Sequence, residues 1–230
     1  LMQRTSFEFD LVIGVDYGND ATADIVASYA RKHPGVINAV LHDKNIGMVS
    51  NALDTLQRCA GKYIAKLDGD DWWTDPFKLQ MQFDFLESYP DFTICFHNLE
   101  IRYPADEERS GLLLPKTQPL ESDRMDLALN NYIPTSSVFF RNMPDRLVLP
   151  WFRELPFTDW AMNIHVAQQG RIFYLPKVMG VYNAHEASVW SSMDAKAKLE
   201  VTLKAQKIIR DHYRDDKEFA GRLDLGAMAM

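Results

Sequence analysis

The chain has 230 residues, 47% hydrophobic and 25% charged, which suits one globular domain with a sizeable core and excludes a disordered or collagen-like chain. The formal net charge is -7 and the basic residues are scattered, so a nucleic-acid partner is not expected. Cys59 and Cys95 match no zinc or redox spacing and read as core thiols of a reducing compartment. No apolar run approaches the roughly 20 residues of a membrane span and no segment reads as a signal peptide, so a cytoplasmic place is expected, with peripheral association at the inner face of the plasma membrane left open.

Residues 9–15, "FDLVIGV", form a continuous apolar run of the kind found in a strand covered on both faces. Turn residues follow, then Ile25, Val26 and Tyr29 at helical spacing, then a stop at Pro34-Gly35. "VINAVLH" predicts a second strand, and Val49, Leu53 and Leu56 predict a helix that closes at Gly61. A third strand runs over residues 63–67. Beyond it Thr74 reads as an N-cap with Pro76 in the first turn, and Phe77, Met81 and Phe85 as the buried face of a helix ending before Pro90. "FTICFHNLEIR" is a strand, residues 103–119 a hairpin or long loop, residues 123–130 a short helix and "TSSVFFR" a strand. "FTDWAMNIHVAQQG" reads as a helix with Thr158 as cap and Gly170 as stop, and the last helix spans 194–214. Strands alternating with helices on short links predict an α/β sheet with parallel pairing in one domain over residues 1–230.

Ligands of such sheets bind beyond the carboxyl ends of the strands. Two clusters fall there: "DYGNDAT" at 16–22 and "DGDD" at 68–71. Two like charges about 4 Å apart cost roughly 1 kcal/mol in water and about 4 at an effective dielectric of 20, a penalty that a divalent cation removes. Mg²⁺ or Mn²⁺ takes one or two carboxylates from a protein and the rest of its oxygens from phosphates and water, so a diphosphate-bearing substrate is the natural companion. The simpler alternative is an acidic loop that caps the next helix.

The text from Asn45 onward, "NIGMVSN", then "GKYIAKLDGDDWWTDPFKLQMQFDFL", resembles inverting family 2 glycosyltransferases of the GT-A fold, in particular a bacterial subgroup with the pattern GKYIA-x-x-D/E-GDD-Y/W-W-T-D-P-x-K-L-Q. The resemblance extends to "DYGNDAT", where Gly18 stands in place of the usual Ser. It reaches "YIPTSSVFFRN", "FTDWAMNIHVAQQG" with Thr158 for the usual Gly, and "VYNAHEASVW" with Asn183 for the usual Arg. It implies a Rossmann-like nucleotide-diphospho-sugar transferase with a mixed, mainly parallel sheet flanked by helices. Family members open with a further strand and turn, and "LMQRTSFEFD" fits the end of the helix that follows it. The sheet is therefore expected to lack its first strand, and the natural protein to be longer.

The same resemblance implies the site. Asp159 would be the general base, while Asp16, Asp20, Asn45, Asn51, Asp68 and Asp70 would meet the nucleotide donor. Asp70, Asp71 and His185 would hold Mn²⁺ or Mg²⁺, and Trp72, Trp73, Thr135, Ser136 and Trp160 are candidates for sugar or acceptor contacts. The donor is expected to be a nucleotide sugar, most simply a UDP-sugar, and the acceptor a hydroxyl of a glycan or a lipid-linked saccharide. Taken alone, Asp159 is an acid in a first helical turn and His185 a surface histidine. Either tryptophan reads equally as core. Tyr17 could stack on a base or merely cover the strand end. His42 and Lys44 read as solvated, and His33, His97 and His165 as structural. A sugar-1-phosphate nucleotidyltransferase and a non-catalytic nucleotide- or glycan-binding remnant of the fold are the rival readings.

Overall fold

The computed structural model describes residues 2–104, 106–144, 146–186 and 188–229. The chain opens with β1 (Leu11–Val15), α1 (Thr22–Lys32), β2 (Ile37–Leu41), α2 (Met48–Leu56), β3 (Tyr63–Ala65) and β4 (Trp72–Trp73). Next come α3 (Lys78–Ser88), β5 (Phe92–Arg102), β6 (Gly111–Leu112), β7 (Glu121–Ser122), α4 (Arg124–Leu129) and β8 (Phe139–Arg141). It closes with α5 (Asp159–Val166), β9 (Arg171–Asn183), α6 (Ala195–His212) and α7 (Lys217–Met228).

β1 and β2 pair in parallel, Leu11 opposite Ile37, as a sheet of their own. The larger sheet runs β3-β8-β5-β9-β4, with β6 beside β5 and β7 beside β9. Only β5 and β9 are parallel in it, and its other pairings are antiparallel. The sheet is mixed, as expected, but mainly antiparallel. β4, β6, β7 and β8 are strands of two or three residues that return beside β5 and β9 in the opposite sense, a course that needs no helical crossover.

Residues 2–10 are not helical, contrary to the expectation for "LMQRTSFEFD". They lie as a strap over the start of α3. Arg4 N donates to Pro76 O at 2.7 Å, the Gln3 amide bridges Asp75 O and Leu79 N, and Phe7 tilts onto Phe83 at 4.3 Å.

The sheet separates two apolar layers. The larger, with Ile94, Phe96, Phe140, Trp160 and Ile164, is covered by α2, α4, α5, α6 and α7. The smaller lies under α3 and holds Leu79, Leu86, Phe92, Cys95 and Phe139. α3 turns differently from its apolar spacing: Lys78, Leu79, Gln82 and Leu86 are buried while Phe77 is exposed. Gln82 fits that buried face because its amide reaches the carbonyls of Cys95 (2.7 Å) and Ser137 (3.0 Å). Thr74 is not the cap; its N–H joins Met179 O, and Asp75 accepts from Phe77 N at 2.8 Å. Burial pushes the Cys59 thiol up to about 11 and that of Cys95 up to about 12, so both stay protonated near neutrality.

Arg141 fastens the far end of α3. Its guanidinium donates to Phe92 O (2.8 Å), to the Tyr63 hydroxyl (2.8 Å) and to Leu86 O, a carbonyl of the last turn, where cations suit the helix dipole. Arg141→Met is expected to lower stability by about 2–4 kcal/mol, since charge-assisted bonds contribute about 1.5–3 and stranded carbonyls add a desolvation cost. Urea unfolding followed by tryptophan fluorescence measures it.

Helix α7, absent from the sequence reading, is capped by Asp216, whose side chain accepts from Phe219 N. Arg124 of α4 pairs with Asp216 at 2.6 Å and lies over the Phe219 ring. Gly226 permits the close crossing of α4 and α7, because a Cβ there would sit 2.6 Å from Leu129 O.

Candidate active site

The acidic loop leaves the end of β3 and returns as β4. Its shape is set by Ser136, from the one-turn 3-10 helix Thr135–Ser137 that precedes β8. The Ser136 hydroxyl donates to Asp71 Oδ2 at 2.5 Å and accepts from Asp68 N at 3.2 Å, and its carbonyl accepts from the Trp73 indole at 2.7 Å. Asp71 Oδ1 accepts the backbone N–H of Asn183 at 3.0 Å. Asp71 is thus buried with both oxygens occupied. Burial raises its carboxyl, opposed by the bonds from Ser136 and Asn183. Asp70 points outward, and its Oδ2 lies 3.0 Å from His185 Nε2. Asp68 opens into a cavity whose walls push its carboxyl up to about 6, with Asp71, Asp159 and Asp70 adding repulsion and Lys66 opposing it.

That cavity has a volume of about 680 Å³ and is lined by Lys66, Asp68, Asp71 and Asp159 together with apolar side chains and uncharged polar ones such as Gln118, Asn131 and Tyr182. Asp159 is the first residue of α5. Its Oδ2 accepts from the Asn131 amide (3.2 Å) and the Thr135 hydroxyl (3.3 Å), while Oδ1 is enclosed and has no hydrogen-bond partner among the described residues. A buried acceptor left without a donor costs about 1–3 kcal/mol.

The first strand ends in a second hollow of about 290 Å³, between Asp16, Tyr17 and Gly18 on one side and Leu41, His42 and Asp43 on the other. Asp16 builds this corner. Oδ1 accepts from Tyr17 N (2.9 Å) and Ile46 N (2.8 Å) and Oδ2 from Gly47 N (2.9 Å), with the Ile46 bond leading the forces that hold its carboxyl below the usual range. The Asn45 amide donates to Tyr17 O at 3.2 Å and that of Asn51 to Gly14 O at 3.3 Å. A Cβ at Gly14 would meet Thr55 Oγ1 at 1.8 Å, so glycine is required for β1 to lie on α2. Asp20 accepts from Thr22 N and starts α1. His42 is not simply solvated: its Nε2 is enclosed and has no hydrogen-bond partner among the described residues.

A divalent cation fits part of the predicted set. Asp70 and His185 stand 3.0 Å apart, close to the separation of two neighbouring ligands with bonds of about 2.1 Å set at right angles. Asp71 does not join them, since Ser136 and Asn183 hold its carboxylate, and no group of three His, Cys, Asp or Glu side chains among the described residues is arranged for a metal. Two protein ligands with phosphate and water oxygens meet the usual pattern for Mn²⁺ or Mg²⁺. The tryptophans divide. Trp72 is exposed beside the acidic loop, whereas Trp73 is half-buried with the Lys78 ammonium 4.0 Å over its ring. Trp160 is fully buried and donates to Leu127 O at 2.7 Å, so it belongs to the core and faces no sugar. Ser136 likewise is buried and organises the loop. Asn131 and Lys66 were not singled out by sequence; no motif marks either, and folding brings Asn131 to Asp159 while Lys66 stands two positions before Asp68.

The mixed α/β fold thus brings acidic groups from the end of β3 and the start of α5 around one cavity. The family model for Glycosyl transferase family 2 matches residues 1–147, and the chain belongs to that family. An uncharacterized protein of Mycobacterium tuberculosis (strain ATCC 25618 / H37Rv) is 35% identical over 195 residues, 83% of this chain and 54% of its own, so the chain spans about half the length of this relative. An uncharacterized glycosyltransferase of Methanocaldococcus jannaschii is 29% identical over 97 residues, 42% of this chain and 33% of its own. Among solved structures, S. aureus TarS 1-349 in complex with UDP shares the fold with a TM-score of 0.60 at 14% identity, over 91% of this chain and 65% of that one. The mannosyltransferase PcManGT from Pyrobaculum calidifontis in complex with GDP-Man and Mn²⁺ gives 0.53 at 13%, over 92% and 58%. Among the described residues no helix is long and apolar enough to cross a membrane.

Proposed function

We propose that the chain is a metal-dependent, inverting glycosyltransferase that moves a sugar from a nucleoside-diphosphate donor, most simply a UDP-sugar, to an acceptor hydroxyl. The observation that carries the reading is the convergence of Asp159, with its unpartnered Oδ1, and the Asp68–Asp71 loop on one cavity. The nucleoside end would occupy the hollow beside Asp16, with Tyr17 against the base and the free His42 nitrogen turned to the ribose or base. Asp70 and His185 would hold Mn²⁺ or Mg²⁺, and such an ion, when bound, neutralises charge on a departing diphosphate. Asn131 and Thr135 keep Asp159 pointed at the cavity. The acceptor hydroxyl gives its proton to the Asp159 carboxylate as its oxygen attacks the anomeric carbon from the face opposite the leaving group, a course that inverts configuration. A cytoplasmic place, at the inner membrane face where the acceptor is lipid-linked, accords with this reading.

UDP with Mn²⁺ is expected to raise the thermal midpoint by several degrees, because a ligand at 100 times its Kd adds about 2.7 kcal/mol. The stabilisation should shrink in Asp70→Asn. A midpoint that no nucleotide or nucleotide sugar moves, with either metal, sinks the proposal.

A further inference from the structure

We infer that Lys78 and Gln82, one turn apart on α3, are positioning residues for the acidic loop: from beneath the sheet they hold the turn at Ser136 to which Asp68 and Asp71 are tied. The Gln82 amide donates to Ser137 O at 3.0 Å as well as to Cys95 O, so α3 grips the carbonyl next to Ser136 in the chain. Lys78 reaches the same turn through one ring. Its ammonium lies 4.0 Å over Trp73, and the Trp73 indole donates to Ser136 O at 2.7 Å. The Ser136 hydroxyl then donates to Asp71 and accepts from Asp68 N. Every link from α3 to the loop is a direct contact. Neither Lys78 nor Gln82 lines the cavity or the hollow beside Asp16, so both act through the residues between.

The chemistry of Lys78 favours this role over simple packing. The side chain is fully buried and its ammonium has no hydrogen-bond partner among the described residues, which is costly for a charged group. A core that breaks a local rule in this way points to a functional constraint close by. What the ammonium does meet is the face of Trp73. A cation there draws electron density from the ring and leaves the indole N–H a stronger donor to Ser136 O, because linked polar groups in a dry interior polarise one another. Gln82 supplies the neutral half of the same hold. The two side chains stand at the first and last positions of "KLQMQ", a spacing that puts both on one helix face.

Lys78→Met and Gln82→Leu test the inference together, because they should move global stability in opposite directions. The first removes an unpaired buried charge and should unfold at higher urea concentration at pH 7; the second strands the carbonyls of Cys95 and Ser137 and should unfold at lower. In both, the Asp68 amide and the Trp73 indole should exchange hydrogen faster than in the unaltered protein. A cation over a desolvated ring is worth a factor of about thirty in an equilibrium, of which the loop feels a part, so about three- to tenfold is expected. UDP with Mn²⁺, measured by calorimetry, should bind more weakly by a similar factor, an arm that rests on the glycosyltransferase reading. Exchange and affinity that simply follow global stability, so that Lys78→Met protects the loop and binds UDP as well as the unaltered protein, overturn the inference. Faster exchange with undiminished affinity overturns it as well. If Gln82→Leu does not fold, Lys78→Met decides alone, since its expected loosening runs against its gain in stability. Failure of the unaltered protein to bind UDP counts against the glycosyltransferase reading, and exchange at Asp68 and Trp73 then judges the inference by itself.

Discussion

Asp159→Asn is expected to reduce glycosyl transfer by at least 10²- to 10⁴-fold while leaving nucleotide affinity within about twofold. That range is the usual contribution of a positioned general base. The substitution keeps the side chain's shape, and its remaining carbonyl oxygen can still accept from Asn131 and Thr135, so the start of α5 should not move. What disappears is the group that takes the acceptor's proton. The donor corner at Asp16 and the Asp70–His185 pair make no hydrogen bond with Asp159, which is why binding should survive. Released nucleoside diphosphate with acceptor present measures transfer, and calorimetry with UDP measures binding. A variant that retains more than a tenth of the activity removes Asp159 from the role of base. One that loses binding as well makes it part of the donor site.

Lys78→Met is expected to stabilise the protein at pH 7, and the advantage should vanish in alkali. The Lys78 ammonium is fully buried, has no hydrogen-bond partner among the described residues, and lies against the faces of Trp73 (4.0 Å) and Phe139 (6.0 Å). Burial pushes it down to about 7 from 10.5. The unfolded chain therefore binds the proton more readily than the native one between those values, and stability supplied by this group rises with pH across that window. Below about pH 7 both states are protonated and the full penalty is present. Each pH unit is worth about 1.4 kcal/mol, and the aromatic faces offset part of the sum, so a gain on the order of 1–4 kcal/mol is expected for an apolar replacement of similar length. Cys95 and His97 share this interior. The thiol is pushed up and stays neutral, and burial pushes the imidazole down to about 3, with Lys78 adding to the effect, so neither becomes a counterion near neutrality. Urea unfolding of both proteins from pH 7 to 10 reads the result. A stability gap that does not close with rising pH refutes the buried ammonium.

Much of the fold was legible because its longer elements carry complete local signals. β5 runs over the very residues of "FTICFHNLEIR", α1 and α6 fall where spacing and stop residues put them, and α2 and α5 start where expected but end at Leu56 and Val166, short of Gly61 and Gly170. The failures have physical causes. α3 buries Lys78 and Gln82, which no hydrophobic pattern marks, because Gln82 meets two sheet carbonyls and Lys78 an aromatic face. "TSS" contributes a 3-10 turn instead of strand, since Pro134 O accepts from Ser137 N and from the Ser137 hydroxyl. α7 shows only a weak apolar stripe, and its stability comes from docking on α4. At the site, the closeness of His185 and Asp70 accords with the roles proposed for them, whereas Asp71 and Ser136 proved to be occupied with each other. Sequence places residues at strand ends but says nothing of which way a carboxylate turns.

The grip on Asp71 by the amide of Asn183 has a kinetic side. Because Trp72 pairs with Val181 and Trp73 with Gly180, that amide lies at the end of the β4–β9 ladder, and freeing it means parting the ladder there. Deuterium uptake at Asn183 should consequently be as slow as that of its strand neighbours. A main-chain donor also carries no side-chain identity. Position 183 is thereby open to sequence drift that leaves the acidic loop anchored, and different side chains there can be tried against different substrates without rebuilding the site.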